Sequence, residues 1–179
     1  NPQVKSIMLI TDSKYGFRCN DDSMSITLLR SSADPDPYPE VGIHKFSFAL
    51  SLISVKSNKE LLDKAYTFNH PLNFITGTFH KGTLPLSKSF FTLEGGSIVV
   101  SAIKFPEKED SDKIIVRVYE TDGKKTPAKF EFFREVKKAY FVDINEKFSE
   151  NDRIVSTDDN RVSFEVSPYS VATLCIEFK

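Results

Sequence analysis

Apolar and polar residues alternate with a period of two along most of this chain, and this alternation restricts its fold more than any other feature. Residues 44–52 are an example: His44, Phe46, Phe48, Leu50 and Leu52 alternate with Lys45, Ser47, Ala49 and Ser51. Because successive side chains of a β-strand point to opposite faces, the pattern predicts strands. Further strands are predicted at 7–10, 23–28, 99–105, 114–120, 128–133, 139–144, 161–166 and 171–178. We therefore expect an all-β protein built from antiparallel β-sandwiches.

Short clusters of Asn, Asp, Gly and Pro separate the predicted strands. They are Asn20-Asp21-Asp22, Asp34-Pro35-Asp36-Pro37, Glu94-Gly95-Gly96, Asp122-Gly123 and Asp158-Asp159-Asn160. Such residues favour turns, and Gly95-Gly96 in particular predicts a hairpin turn. Short strands at regular spacing over residues 90–179 are typical of a β-sandwich, so we assign this part to a small terminal sandwich domain.

One segment departs from the period of two. Residues 58–66 carry an apolar stripe at helical spacing, with Ser57 or Asn58 as a candidate N-cap. Asn69-His70-Pro71 should end this helix, because a residue before proline avoids the α region. The stretch 69–89 has no clear period, and we therefore interpret 56–89 as a short helix followed by a connection.

The N-terminal part, residues 1–55, contains only about three predicted strands. Three strands do not readily close a two-layer core. We therefore interpret this part as the C-terminal end of a larger β-sandwich domain. The chain begins with Asn1 and not with Met, so we also expect it to be a piece of a longer polypeptide.

Composition excludes several classes of partner. The 179 residues carry 24 Lys and Arg against 25 Asp and Glu, so no strong positive field favours nucleic acid or an anionic membrane. The longest apolar runs are far shorter than the ~20 residues of a membrane-spanning helix. Of the two cysteines, Cys175 lies in a predicted strand and is expected to act as a small hydrophobe and not as a disulfide partner of Cys19. The low cysteine count suits a reducing, cytoplasmic compartment.

No catalytic or metal-binding pattern is evident, so we predict no catalytic residues and no metal site in this chain. The three histidines, His44, His70 and His80, do not have the spacing of a zinc site. His44 falls on the same strand face as Phe46 and Phe48, which predicts a buried structural histidine. No nucleophile elbow or phosphate-binding glycine motif is present. The paired aspartates lie in predicted turns, where they bond their own backbone.

One connection combines an acid, a base, an aromatic residue and a glycine. Thr11-Asp12-Ser13-Lys14-Tyr15-Gly16-Phe17 follows the predicted strand 7–10. The plainer interpretation is a hairpin with Gly16 at positive φ. The functional interpretation is a polar loop that is presented to a ligand.

Several motifs, taken in order, resemble one family. The segments that carry the resemblance are Ile10–Phe17, Leu28–Ser32 with Pro35-Asp36, Gly42–Leu50, Asn69–Leu72, Ser89–Phe91, Val99–Lys104 and Val116–Glu120. They are similar to motifs of α-mannosidases of glycoside hydrolase family 38, in the branch with cytosolic and vacuolar enzymes. The first resembles "L-N-D-S-K-Y-G-F/Y" and the third "G-x-H-x-F-x-Y-A-L". Thr11, Ser32, Lys45 and Phe48 depart from these motifs, which indicates a distant member and leaves any role of the replaced Asn without support.

The resemblance implies a function that the residues alone do not show. Members of the family are retaining exo-α-mannosidases with two catalytic carboxyls and a zinc ion in an N-terminal α/β barrel, so this chain would be a non-catalytic C-terminal part that supports the barrel. It would carry no cofactor itself. Its loop would approach the sugar, with Asp12, Lys14 and Tyr15 as candidate contacts, while Gly16, Arg30 (in an ion pair) and His44 would be structural. Homo-oligomerisation of the parent enzyme stays open.

Two other functions remain open at this point. A stand-alone carbohydrate-binding sandwich would usually stack sugars on exposed aromatic rings, most often Trp, and the chain has no Trp. The Phe residues are expected mostly on the apolar faces of strands. A protein-interaction sandwich would instead need an exposed apolar patch.

Overall fold

The computed structural model describes residues 6–32, 34–54, 57–107, 112–147 and 155–179. The fold is mostly antiparallel β-sheet with one short helix, which confirms the predicted fold class. The chain divides into two compact units: Asn1–Lys56 with Glu60–Ile75, and Ser57–Lys59 with Thr76–Lys179. The predicted domain boundary at residues 55 and 56 lies outside the described residues. The assignment of 1–55 to the end of a larger sandwich stays a prediction.

The first unit contains two two-stranded sheets. Strand β1 (Ser6–Thr11) pairs antiparallel with β4 (Phe48–Ile53), and strand β2 (Phe17–Asn20) pairs with β3 (Ser23–Ile26) around the predicted turn. The strand predicted to begin at His44 begins only at Phe48, opposite Thr11 at the end of β1. Asp12, the next residue, receives the Ser47 N–H on its carboxylate. The Asp12 N–H still donates to the Ser47 carbonyl, but the Ser47 N–H bonds the Asp12 carboxylate and not its backbone carbonyl. The regular β1–β4 ladder therefore ends at Thr11 and Phe48.

Helix α1 (Asn58–Asn69) confirms the predicted helix: it runs three residues past the stripe at 58–66 and ends at Asn69, in the Asn69-His70-Pro71 segment predicted to end it. The His70 N–H still bonds the Tyr66 carbonyl oxygen at 2.8 Å, so the helical ladder continues until Pro71 prevents it. Asn58, the first residue of the helix, belongs to the second unit and bonds other residues of that unit. The Asn58 N–H donates to Asp122 Oδ1 (3.1 Å), and its side-chain amide donates to the Thr121 carbonyl (2.8 Å).

The second unit is a sandwich of two four-stranded antiparallel sheets. Its strands are β5 (Phe91–Glu94), β6 (Ile98–Lys104), β7 (Lys113–Glu120), β8 (Thr126–Phe132), β9 (Val136–Val142), β10 (Ser156–Asp158), β11 (Arg161–Val166) and β12 (Val171–Phe178). One sheet has the order β10-β11-β8-β5 and the other β6-β7-β12-β9. The predicted hairpin at Gly95-Gly96 is wrong, because β5 pairs with β8 while β6 pairs with β7. This turn, closed by Ile98 N–H to the Gly95 carbonyl, carries the chain from one sheet to the other.

The core of the second unit lies between these sheets. Fully buried side chains include Ile98, Val116, Phe130, Leu174 and Ile176. Alternate residues of β11 (Val162, Phe164 and Val166) are buried, as the period of two predicts. Cys175 is buried in β12 and Cys19 is exposed, and the two form no disulfide.

The expectation that Phe residues lie mostly on buried strand faces is correct only in part. Phe130, Phe132, Phe164 and Phe178 are core residues. The exposed ones include Phe48, Phe74, Phe79, Phe90 and Phe105. Phe74 and Phe79 lie in residues 70–90, where the structure shows no helix or strand, so no sheet face is available to bury them.

Candidate functional site: the Thr11–Gly16 loop

The loop after β1 is held by the side chain at its first residue. Thr11 Oγ1 accepts the backbone N–H of Lys14 at 3.1 Å and that of Ser13 at 3.4 Å. A side-chain oxygen that bonds backbone groups two and three residues ahead is a compact turn device. The Thr11 carbonyl accepts the Asn69 side-chain amide at 3.3 Å, which ties the loop to the last residue of α1.

Asp12 joins the loop to the chain that enters β4. Its Oδ2 accepts the Ser47 N–H at 2.9 Å and its Oδ1 accepts the Ser13 hydroxyl at 2.8 Å, while its own N–H donates to the Ser47 carbonyl at 3.2 Å. The bond from the Ser47 backbone is the main reason that the pKa of Asp12 lies below its ordinary value, and the Ser13 hydroxyl adds to it. Asp12 is therefore an ionised side chain that fixes the loop conformation.

Lys14 and Tyr15 differ in how much they are restrained. The Lys14 side chain is half-buried, and its Nζ lies 5.3 Å from the centre of the Phe46 ring, within cation–π distance. Tyr15 is 89% exposed. Within the described ranges its hydroxyl has no hydrogen-bond partner. Of the three predicted contact residues, Tyr15 is thus the one whose polar atom is free to meet a ligand.

Gly16 has a different reason for being glycine than the sequence suggested. The positive φ expected for it is wrong, since the glycines at positive φ are Gly42 and Gly123. The hairpin expected at this connection is also wrong, because β1 pairs with β4. Gly16 instead packs closely on Thr27: its carbonyl accepts the Thr27 N–H at 2.8 Å, and a Cβ at position 16 would lie 3.0 Å from the Thr27 Cβ.

Two residues predicted to be structural lie outside this loop. The prediction that His44 is buried is wrong: its side chain is 29% exposed, with Nε2 2.8 Å from the Glu40 carbonyl and Nδ1 3.7 Å from the Glu40 carboxylate. Because β4 starts only at Phe48, no strand aligns His44 with a buried face. Arg30 is exposed, and the predicted ion pair is not formed with any described residue.

A second polar cluster could be mistaken for a catalytic site. Glu120 is 3% exposed, and its carboxylate accepts the N–H groups of Asp122, Gly123, Lys124 and Tyr169. Burial opposes its ionisation, but the hydrogen bonds, including one from the Ser97 side chain, lower its pKa to about 2. A carboxylate this acidic and this fully bonded is a poor proton donor or base near neutral pH. Glu120 joins the 121–124 turn to the 167–170 turn.

Sequence reasoning missed Ser47 and Asn69 as parts of the loop and Glu120 as a buried cluster. Ser47 is 35 positions from Asp12, and Asn69 is 58 positions from Thr11, so no local spacing links them. Glu120 is the last residue of β7 and precedes a turn, so the sequence suggests an exposed side chain there. Within the described part of the chain, no group of three or more His, Cys, Asp or Glu residues could hold a metal ion.

Comparison with known proteins supplies the family. Residues 97–174, which cover most of the two-sheet sandwich, match the family model described as "Glycosyl hydrolases family 38 C-terminal beta sandwich domain". This segment is a glycosyl hydrolase family 38 C-terminal β-sandwich domain. The family 38 sandwich thus includes the core around Phe130 and the Glu120 cluster, while the Thr11–Gly16 loop lies outside the matched residues.

Curated proteins that the chain matches are α-mannosidases. The chain is 31% identical over 128 residues to "Alpha-mannosidase G" of Dictyostelium discoideum, which covers 68% of the chain and 11% of the relative. It is 25% identical over 173 residues to "Alpha-mannosidase 2C1" of Mus musculus (95% and 16%) and 24% identical over 196 residues to "Alpha-mannosidase" of Saccharomyces cerevisiae (97% and 18%). The chain therefore spans less than a fifth of the length of each of these relatives.

Proposed function

We propose that this chain is a non-catalytic C-terminal part of a retaining exo-α-mannosidase. The observation that carries the proposal is the family 38 match over residues 97–174. Within this sandwich, Glu120 is the carboxylate with the most strongly shifted pKa, and four backbone N–H groups bond it. In the proposed enzyme the two catalytic carboxyls, ~5 Å apart, and a zinc ion belong to a barrel elsewhere in the polypeptide. The role of this chain is to support that barrel, and its substrate class is glycans with terminal α-mannose.

The experiment compares the full-length polypeptide with the 179-residue chain on an aryl α-mannoside. We expect turnover by the former and none by the latter. Loss of activity in the full-length protein after removal of metal, with recovery on addition of Zn²⁺, is expected for a zinc site in the barrel. Full-length protein without α-mannosidase activity, or an active 179-residue chain, would contradict the proposal.

We further propose that Tyr15 meets the substrate, with Asp12 and Lys14 as positioning residues. The exposed hydroxyl of Tyr15 supports this, as does the fixed backbone that Thr11 and Asp12 provide. A Tyr15→Phe substitution in the full-length enzyme should raise KM for a mannoside about 3- to 10-fold while the fold is unchanged, which is the range for one lost hydrogen bond of about 1 kcal/mol.

The matched control is Tyr169→Phe, a substitution at a tyrosine that is 74% exposed in the second unit. Equal kinetics for wild type and Tyr15→Phe would refute the contact. Saturable binding of mannose to the 179-residue chain by itself would favour a carbohydrate-binding module over a barrel-supporting domain.

A cytoplasmic location is part of the proposal. The exposed Cys19 thiol, which is in no disulfide, supports it, because such a thiol suits a reducing compartment. No helix within the described residues is long and apolar enough to span a membrane. Fractionation of cells that express the full-length protein tests the location directly.

A further inference from the structure

The peptide group between Thr11 and Asp12 begins the loop that carries Tyr15, and both of its polar atoms are bonded. The Asp12 N–H donates to the Ser47 carbonyl at 3.2 Å. The Thr11 carbonyl accepts the Asn69 side-chain amide at 3.3 Å. A peptide plane that is bonded through both its N–H and its C=O cannot rotate without breaking one of these bonds. The direction in which the chain leaves β1 is therefore fixed by two residues that are 35 and 58 positions away along the chain.

The backbone at Tyr15 is held on both of its sides. Before it, the Lys14 N–H donates to Thr11 Oγ1 at 3.1 Å. After it, the Gly16 carbonyl accepts the Thr27 N–H at 2.8 Å. The Tyr15 side chain is 89% exposed between these two fixed points, and a side chain on a fixed backbone loses little conformational freedom when it meets a ligand. A change in the position of Thr11 is thereby passed on to Tyr15.

Asn69 can bond Thr11 because its side chain is itself held at the end of α1. The Asn69 side-chain nitrogen donates to the Ala65 carbonyl at 3.0 Å, one helical turn back, and its second hydrogen is available for Thr11. Both acceptors are carbonyl oxygens, so the nitrogen of the amide, and not its oxygen, must face them. The bond to Ala65 thus fixes the amide on the helix, and the bond to Thr11 joins the helix to the loop.

Helix formation does not explain why residue 69 is an asparagine. Asparagine forms helices less readily than alanine, leucine or lysine. Its backbone is also not in the left-handed region that favours asparagine just after a helix, where the described non-glycine residues are Glu40, Glu146, Asp159 and Tyr169. The segment Asn69–Leu72 is one of those that carry the family resemblance, and the proposed contact residues do not include it. The bond to the loop gives this asparagine a purpose.

We propose that Asn69 is a positioning residue of the Thr11–Gly16 loop. By holding the Thr11 carbonyl, it fixes the direction from which Tyr15 reaches the sugar. Asn69 does not touch the substrate and acts only through Thr11. This inference rests on the proposed function, because it requires the contact of Tyr15 with an α-mannoside.

Thr67 provides a matched control in the same helix. Its hydroxyl donates to the Asp63 carbonyl at 2.8 Å, one turn back, as the Asn69 amide does to Ala65. Both side chains are exposed, and within the described residues Thr67 makes no bond to the loop. Thr67→Ala therefore removes one bond to the helix backbone, whereas Asn69→Ala removes a similar bond together with the link to the loop. The difference between the two variants measures that link.

The first measurement is amide hydrogen exchange in the full-length protein. The N–H groups of Lys14 and Ser47 are bonded to side-chain oxygens at the start of the loop, so their exchange reports on its conformation. We expect both to exchange about 5-fold faster in Asn69→Ala than in Thr67→Ala, the effect of one lost hydrogen bond. Equal exchange in the two variants would overturn the proposal. Asn69→Asp, which keeps the shape of the side chain but has no N–H to donate, replaces Asn69→Ala if that variant does not fold, with the same expected result.

The second measurement is the kinetics of the full-length enzyme on an aryl α-mannoside. Relative to Thr67→Ala, Asn69→Ala should raise KM about 2- to 5-fold and leave kcat unchanged, since it weakens a binding contact. In a Tyr15→Phe background, where that contact is already lost, Asn69→Ala should raise KM by less than about 1.5-fold. A merely structural role would give the same effect in both backgrounds. Equal effects would therefore overturn the proposal.

These outcomes separate the positioning role from the proposed function. Faster exchange in Asn69→Ala, in a full-length protein without α-mannosidase activity, would remove the enzyme and leave the link between Asn69 and the loop standing. An active enzyme in which Tyr15→Phe raises KM while Asn69→Ala behaves as Thr67→Ala would keep the proposed function and overturn the positioning role.

Discussion

Phe130 is the side chain on which the stability of the family 38 sandwich should depend most. It is fully buried in β8, between β5 and β11, and its ring centre lies 5.7 Å from Phe91, 5.5 Å from Phe132 and 6.1 Å from Phe164. Phe133, three positions later, is 49% exposed and contacts Phe90 edge-on at 5.4 Å. The two positions therefore compare the same side chain in the core and at the surface.

The expected losses follow from burial. Phe130→Ala removes a fully buried ring and leaves a cavity that both sheets enclose, so we expect a loss of about 3–5 kcal/mol in the free energy of unfolding. Phe133→Ala removes a half-exposed ring from a site open to water, so no cavity forms and the expected loss is roughly 1 kcal/mol. The difference between the variants should be at least about 2 kcal/mol.

Urea unfolding of the 179-residue chain, followed by far-ultraviolet circular dichroism, measures this difference. With a slope of about 2 kcal/mol per molar urea, the midpoint of Phe130→Ala should fall by about 1.5–2.5 M and that of Phe133→Ala by about 0.5 M. Phe130→Leu, with a smaller cavity, provides a graded variant if Phe130→Ala does not fold. Equal midpoints for Phe130→Ala and Phe133→Ala would refute the account of the core.

Two further predictions concern Glu120 and Gly16. Hydrogen bonds lower the folded-state pKa of Glu120 to about 2 from an ordinary value of 4.5, so its stabilising effect is complete above pH ~5 and is lost as pH falls toward 2. The urea midpoint of wild type should therefore fall more steeply than that of Glu120→Gln between pH 5 and 3, and parallel profiles would contradict the role. Gly16→Ala places a Cβ 3.0 Å from Thr27, at a cost on the order of 1 kcal/mol, and should speed exchange of the Thr27 amide about 5-fold. Gly96→Ala, where a Cβ meets nothing within 4 Å, is the control, and equal effects at both positions would show that close packing is not the reason for Gly16.

One sheet of the second unit carries paired charges across its neighbouring strands. On the β10-β11-β8-β5 sheet, Lys129 pairs with Glu94 (3.6 Å) and Arg161 with Glu131 (3.3 Å) across neighbouring strands. These exposed pairs contribute little to stability, but they make the face soluble in water. Strands β1 and β4 of the first unit carry no charged residue, so that sheet has no comparable face.

Local patterns predicted several strands of the second unit well, most clearly β11, where exposed and buried residues alternate along the whole strand. β11 and β12 begin at the predicted residues, Arg161 and Val171, and β11 ends as predicted at Val166. The pairing of the strands was not predictable in the same way. Gly95-Gly96 has the composition of a hairpin turn, yet the choice between a hairpin and a crossing to the other sheet depends on which strands lie beside β5 and β6, and those are β8 and β7.

The candidate loop shows the same division between local and distant information. Its residue types and its position after a strand were evident from the sequence, and they led to Asp12, Lys14 and Tyr15. The difference in their roles came only from the fold. The Asp12 carboxylate accepts the Ser47 N–H, and the Lys14 ammonium lies over the Phe46 ring. The exposed Tyr15 hydroxyl has no partner among the described residues.

The sequence by itself determined that this chain forms antiparallel strands, a helix that ends before Pro71 and a terminal sandwich, because these depend on the spacing of apolar residues and on proline. The tertiary structure decided the exposure of His44, the reason that residue 16 is a glycine, the hydrogen bonding of the Glu120 carboxylate and the exposure of apolar side chains on β1 and β4. Each of these depends on groups far apart in the chain, such as Thr27 for Gly16 and Tyr169 for Glu120. No periodicity encodes such distances, since they arise only when the sheets have formed.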